Sequence, residues 1–494
     1  MSKQKLLRGA SGDALALAVV KLMTAALGLL TTRLLSQYLS VYDYGTYSQI
    51  LLVVSTVSSI TIFGMIDGVN FFYCTEKDEK ERERIIGSIF SLQCIFSVVA
   101  GSIVFLLSAP LCAYFENPEI KRLLIFAVAL PMLQNLINML QVLMISNGKT
   151  SLLAVRNLVV SFVRLIVASL IICRVQNIVI VLFTTTLLDL AQIGIFGVLL
   201  KKSGCRVCLS RLNSKTLMDI MRYCAPMAVF VILSTLNRDI DKYLIAWLTD
   251  TETVAVYSNA SKMLPFDIII SAFSTVLLPG VTKAIVEEKY SRARKLYKSF
   301  CEISYISTTI LCCAALSAAP QLMKLLYSDK YMSGLSIFCI YILVDMVRFT
   351  NITMVLTAAG KTKKLMLLSV GSLLVNAILN VILYRLIGIV GPAVATLITT
   401  LSLGLTIMSE ASKVMDTRLG SLFDVRFLTR FASVSAIFVF LFHVMQRFLE
   451  RMDVHYFLIL VIICGGYVLF MLLINYKRLM KAIYRVNENA NTDE

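Results

Sequence analysis

The chain has 494 residues, of which 58% are hydrophobic, with a mean hydropathy of +0.81 and a formal net charge of +17 at pH 7. Soluble domains hold about 45–50% apolar residues, so a soluble multidomain protein is excluded. A nucleic-acid binder needs a basic soluble face, and none is available, so no nucleic-acid partner is expected. The apolar residues come in long runs joined by short basic links. Each run reaches the ~20 residues that cross a hydrocarbon core as a helix, and none alternates as a barrel strand would.

Taken in order, the runs predict fourteen spans: residues 14–36, 45–69, 85–111, 123–145, 152–173, 178–200, 218–248, 254–282, 303–325, 335–357, 365–384, 389–410, 427–448 and 457–476. Basic residues Lys3, Lys5 and Arg8 precede the first run. That run is too long for a signal peptide and lacks a small-residue cleavage site, so it is expected to be the first span. Between spans two and three, residues 76–84 mix both charge signs, which predicts a solvated turn. Cys205 and Cys208 form a CxxC in a basic loop without a second pair or a His cluster, and they read as incidental.

Loop charge tests this count. An even number of spans puts both termini on one side, where the loops carry 29 Lys and Arg, against six on the other. Cytoplasmic loops collect Lys and Arg, so both termini are expected in the cytoplasm, on a cell membrane.

The two halves repeat. Tyr47-Ser48 recurs as Tyr257-Ser258, Ala109-Pro110 as Ala319-Pro320, and Gly148-Lys149-Thr150 as Gly360-Lys361-Thr362, at offsets of 210, 210 and 212 residues. Each pair falls at the same place in the span order. A repeat of six spans re-enters the membrane with the same orientation, so it is a parallel repeat. The expected fold is all-α and membrane-embedded, with about fourteen transmembrane helices: two six-helix lobes and two extra C-terminal helices. The expected divisions are 1–215, 216–413 and 414–494. Two such lobes about a central cavity make a transporter plan.

Ionisable groups at membrane depth are costly and normally face a wet cavity or a partner. The predicted spans hold Lys21, Arg33, Arg164, Arg238, Lys242, Lys262 and Arg348 against Asp189, Asp239, Asp241, Asp267 and Asp345. Seven cations against five acids would make a cavity that attracts anions, and Arg presents a fork suited to phosphate. At i, i+3 spacing, Asp345 can pair with Arg348, Arg238 with Asp241, and Asp239 with Lys242. Lys21 and Arg164 have no acid on their own helix and are the better cavity candidates. The only histidines, His443 and His455, flank one outer loop, and residues 148–150 lack the upstream glycine of a phosphate loop. Neither a catalytic constellation nor a nucleotide motif is visible, so no enzyme activity and no cofactor are expected. Drive would come from the substrate gradient or from H⁺ or Na⁺, with Asp241 the first coupling candidate and Asp239, Asp345 and Asp189 behind it.

The stretch from Arg33 to Ser36, with Tyr44-Gly45-Thr46-Tyr47, resembles the opening of polysaccharide-biosynthesis flippases of the Wzx type. Pro226, the run from Asp241 to Ile245 and the run from Tyr257 to Ala260 resemble their second-half opening. Asn376, Asn380 and the stretch from Gly388 to Thr396 resemble a turn shared across the multidrug/oligosaccharidyl-lipid/polysaccharide exporter superfamily; Pro392 stands where a small residue is more usual. The resemblance spans essentially the whole chain. It implies alternating access and a cargo of oligosaccharide on a polyprenyl pyrophosphate carrier, turned outward across the cytoplasmic membrane for surface polysaccharide export. Lys21, Arg33, Arg164, Arg238, Lys242, Lys262 and Arg348 would then neutralise pyrophosphate or acidic sugars. Expected partners are the lipid-linked oligosaccharide, membrane lipids, and a polysaccharide polymerase with glycosyltransferases, around a monomer. The alternative is a multidrug or toxin extruder of the same superfamily, which would use Asp189 and Asp345 for cationic drugs.

Overall fold

The structure, a computed structural model, describes residues 10–202, 213–268, 270, 277, 280–285, 287–348, 353–422 and 424–490. Cys205 and Cys208, the basic residues 3–8 and the side chain of Asp267 lie outside the described residues. Among those described, the chain forms helices and no strand. Among the described residues, eleven stretches are long and apolar enough to cross a membrane, and one of them, Lys363–Val414, runs through two helices. These stretches cover twelve of the predicted spans. Span one is the 29-residue helix α1 (Ala10–Tyr38), and span eight falls partly on residues outside the described set. The chain is a multi-pass membrane protein. Its exposed surface fits that solvent, with Leu106 at 78%, Leu386 at 71% and Leu473 at 69% exposure.

The described residues divide into two compact units, Val19–Ser258 and Asn259–Glu494 with Met1–Ala18. In the first, α2 (Val41–Ile62) begins at Ser40, whose side chain accepts the Asp43 N–H. Phe63 and Gly64 follow with φ of 43° and 70°, which ends α2 and starts α3 (Met65–Thr75). Next come α4 (Glu79–Leu106), α5 (Ser108–Tyr114), α6 (Ile120–Ser146), α7 (Thr150–Val175), α8 (Ile178–Lys202), α9 (Ser214–Leu248) and α10 (Thr251–Ala260). The charged turn at 76–84 is half helix: α4 starts at Glu79, and Arg82 pairs with Glu79 and Arg84 with Glu81 one turn apart. Helix α6 packs against α2, α3, α4 and α8, and α9 packs on α2, α3 and α4. Their core includes Met65, Ile89, Met139, Leu143, Phe196, Ile220 and Cys224.

The second unit holds α11 (Tyr290–Ser317), α12 (Ala319–Tyr327), α13 (Leu335–Val347), α14 (Met354–Ala358), α15 (Thr362–Ile387), α16 (Gly391–Val414), α17 (Val425–Arg451), α18 (Tyr456–Leu460) and α19 (Gly466–Ala490). Helix α11 packs against α13, α17 and α19. Helices α15 and α16 form a hairpin closed at Gly388, φ 67°. Pro392 sits in the first turn of α16, where a missing N–H costs nothing.

The repeat found in sequence is present in the backbone. Gly148 and Gly360 have φ of 69° and 67°. Lys149 N–H reaches Met144 O at 2.9 Å, and Lys361 N–H reaches Leu356 O at 2.8 Å. Both are helix-ending turns of one type, and α7 and α15 start two residues later at Thr150 and Thr362. Ala109-Pro110 and Ala319-Pro320 each open a short helix, α5 and α12.

Two predictions follow from this packing. Gly45 lets α2 lie against the start of α10: an added Cβ would sit on the Thr251 carbonyl oxygen and 2.8 Å from Thr251 Cγ2. Gly45→Val is expected to cost ~1–3 kcal/mol, read as a lower melting temperature of the purified protein, with Gly28→Val, which meets open space, as control. Asp424 lies just outside the α17 span, caps that helix through the Phe427 N–H (3.1 Å), and accepts from Arg478 Nη2 at 3.0 Å. The Arg478 hydrogen bond, and then the Phe427 N–H, hold its carboxyl below the usual aspartate range. The tie therefore contributes above about pH 4, the ordinary aspartate value, and is lost as pH falls through the lowered folded one. Melting temperature should drop more steeply with acid in the wild type than in Asp424→Asn.

Candidate functional site

Two clusters of buried charge lie in the first unit. The first joins α7 and α8. Asp189, 1% exposed, accepts from the Arg164 guanidinium and from Gln192 Nε2 at 2.8 Å. Gln192 Oε1 in turn accepts from Arg156 Nη2. Arg156 is 7% exposed, with its guanidinium carbon 4.1 Å from the centroid of the Phe196 ring. Arg156, Gln192, Asp189 and Arg164 thus form a continuous chain with two guanidinium groups and one carboxylate. Asp189 Oδ2 and the Nε atoms of both arginines are buried without a hydrogen-bond partner among the described residues. The Arg164 side chain is 42% exposed and borders a cavity of about 120 Å³ that Thr31, Tyr47, Thr184 and Thr185 also line. The chain can therefore present a cation to a ligand while its carboxylate remains buried.

The second cluster lies on α2, α9 and α10. Asp239 accepts from Lys242 Nζ at 2.8 Å and Arg238 Nη2 at 3.2 Å, and from Ser55 Oγ at 3.3 Å. The i, i+3 pair of Asp239 with Lys242 is present, but Arg238 turns to Asp239 and Ser55 rather than to Asp241. Asp241 accepts instead from the Tyr257 hydroxyl at 2.8 Å and from the Lys242 N–H at 2.8 Å. Asp239 gathers both cations because it is the carboxylate beside Ser55, whereas the carboxylate of Asp241 meets α10. Tyr243, hydrogen-bonded to Thr56 at 2.6 Å, and Tyr114, which donates to Tyr243 O at 2.7 Å, frame the same region. Below it Asn117 donates to Thr46 and Gln49, at 2.8 and 2.9 Å.

In the second unit Asp345 and Arg348 pair at 3.4 Å, as their spacing predicts, and Asp345 also accepts the Leu264 N–H at 2.9 Å. Lys262 and Lys21 are exposed and Arg33 is half-buried. Arg156 escaped the sequence reading, and Asn380 and Thr396 entered it only through the resemblance, with no site role. Arg156 stands eight residues before Arg164, on one face of α7, and that spacing was the available signal. Asn380 and Thr396 are buried on α15 and α16, and the Asn380 amide atoms and the Thr396 hydroxyl have no hydrogen-bond partner among the described residues. Register around Gly391 and Leu383 puts these two residues at similar depth in the hairpin.

The coupling of Arg164 to Asp189 is measurable. Arg164→Leu leaves a buried carboxylate unpaired, and the double variant with Asp189→Leu removes both charges. The two single costs are expected to exceed the double by at least ~0.5 kcal/mol in unfolding measurements; additive costs would show that the pair is not formed.

The family described as polysaccharide biosynthesis protein matches residues 32–336 of the chain. No curated protein matches it. Among solved structures, the lipid II flippase MurJ in an inward closed conformation superposes with a TM-score of 0.72 at 16% identity, over 94% of this chain and 99% of that one. A variant of the Vibrio cholerae MATE transporter VcmN gives 0.58 at 15% identity, over 82% and 95%. A transporter of the MOP superfamily from Pyrococcus furiosus, described by the reversed polarity of its binding pocket, gives 0.56 at 14% identity, over 84% and 98%. At these identities the likeness is one of fold.

Proposed function

This chain belongs to the polysaccharide biosynthesis protein family, and from that premise we propose that it flips an oligosaccharide repeat unit on a polyprenyl pyrophosphate carrier across the cytoplasmic membrane. The observation that carries the reading is the chain from Arg156 to Arg164 around a single buried carboxylate, with Arg164 at a cavity. Its excess of positive charge suits a pyrophosphate, and the fixed partners keep the guanidinium groups oriented without a bound anion. A drug extruder would need carboxylates available to cationic compounds. Asp189, Asp239 and Asp345 are each held by an Arg or Lys, which favours the anionic cargo. The flippase works without enzyme chemistry and with both termini in the cytoplasm. It receives its cargo from glycosyltransferases and hands it to a polymerase.

Drive from H⁺ or Na⁺ is assigned to Asp241 ahead of Asp239. Asp241 Oδ2 accepts from the Tyr257 hydroxyl on another helix, a contact that a helix movement can exchange.

The test uses a strain lacking the chromosomal copy, complemented with wild type, Arg156→Gln or Arg164→Gln at matched protein abundance. Loss of one charge contact of ~1.4 kcal/mol corresponds to about tenfold, so surface polysaccharide made per flippase is expected to fall by about that factor. Drug susceptibility should stay unchanged. Normal polysaccharide together with increased susceptibility to cationic drugs would replace this reading with the extruder.

A further inference from the structure

At one end of the second unit, α11, α17 and α19 enclose a cleft of about 720 Å³, lined by Lys298, Glu302, Asp424, Lys477, Arg478, Lys481 and Arg485, with Ser421. Its volume lies within the range of small-ligand sites, roughly 300–1,000 Å³. Five cations face two carboxylates there, an excess of three positive charges. The arginines and acids hold one another. Arg478 donates to Glu302 and, at 3.0 Å, to Asp424, and its guanidinium carbon lies 3.3 Å from the Phe427 ring centroid. Arg485 Nη1 approaches Glu302 Oε2 at 3.7 Å. These contacts tie the three helices together. Lys298, Lys477 and Lys481 are exposed and have no carboxylate within ion-pair distance among the described residues. Lys477 and Lys481 stand one turn apart on one face of α19.

A general cation bias of membrane-protein loops would scatter such residues along loops. Here they come from two packed helices, α11 and α19, and the two carboxylates pair with the arginines, so the lysines are left for another anion. The surroundings say which anion. Directly before Lys477, α19 exposes Leu472, Leu473, Ile474 and Tyr476, and Met480 and Tyr484 continue the exposed surface among the cations. Tyrosines at such a transition mark the membrane interface. The cleft therefore lies where an acyl-chain surface passes into a cationic one.

We propose that this cleft binds the phosphate headgroup of an anionic glycerophospholipid, with Lys298, Lys477 and Lys481 as its ligands and the apolar stripe of α19 against its chains. The site is independent of the transport reading, because it uses none of the residues assigned to cargo.

The test measures phosphatidylglycerol bound to the purified full-length protein by native mass spectrometry, against phosphatidylcholine. The wild type is expected to retain phosphatidylglycerol selectively and to lose it as NaCl rises from 50 to 500 mM. The triple variant Lys298→Gln, Lys477→Gln, Lys481→Gln is expected to bind phosphatidylglycerol at least about tenfold more weakly, with phosphatidylcholine unchanged. The triple Lys→Arg variant should keep the affinity. Equal retention of the two lipids, or salt-independent binding by the wild type, overturns the proposal even if the Gln variant fails to fold. Displacement of phosphatidylglycerol by inorganic phosphate at equal concentration would make the cleft a soluble-anion site. Preferential displacement by a polyprenyl diphosphate would make it a cargo site. Either result overturns the phospholipid assignment.

Discussion

Each buried charge in this bundle must be answered by another group of the chain, because hydrocarbon outside the helices offers none. That constraint orders the described interior. Asp189 is answered by Arg164 and Gln192, Asp239 by Arg238, Lys242 and Ser55, Asp241 by Tyr257, and Asp345 by Arg348 and the Leu264 N–H. Where two cations share one acid, as at Asp239 and along the chain through Asp189, positive charge is left over at a fixed place. A site for an anion is then a by-product of how the fold satisfies its acids.

Hydropathy made the helices legible, because a run of twenty apolar residues has few other fates. The repeat was legible for a different reason. Gly148 and Gly360 occupy a backbone region that side chains with a Cβ enter at a cost, so the turn that ends each fourth span keeps its glycine. The compact units divide in the chain after Ser258, and α9 and the first residues of α10 stay with α2, on which they pack.

Charge pairing separates what spacing shows from what it hides. The i, i+3 pairs Asp345 with Arg348 and Asp239 with Lys242 are present, since the helix itself fixes that distance. Arg164 had no acid on its own helix, yet Asp189 answers it from α8. Nothing in one sequence states which faces of two helices meet. Arg238 shows the reverse case: the spacing allowed Asp241, but Ser55 on α2 draws it to Asp239. Arg156 needed the same cross-helix knowledge, because only Gln192 and Phe196 on α8 turn it from a residue near a helix start into a member of the chain.

The two neighbouring carboxylates of α9 illustrate how such packing divides labour. Asp239 and Asp241 are two residues apart, so their side chains leave the helix about 160° apart. One faces Ser55 and collects both cations; the other faces α10 and meets a tyrosine hydroxyl. Removing the proton-accepting capacity of Asp239 would free two cations in a place of low dielectric, a change that the fold resists. Exchange of a hydroxyl donor for a proton or a small cation at Asp241 leaves those two cations paired. A chain that must keep its buried charges answered in every state therefore holds Asp239 fixed between Arg238, Lys242 and Ser55, even though its neighbour Asp241 has the same chemistry and shares one turn of helix.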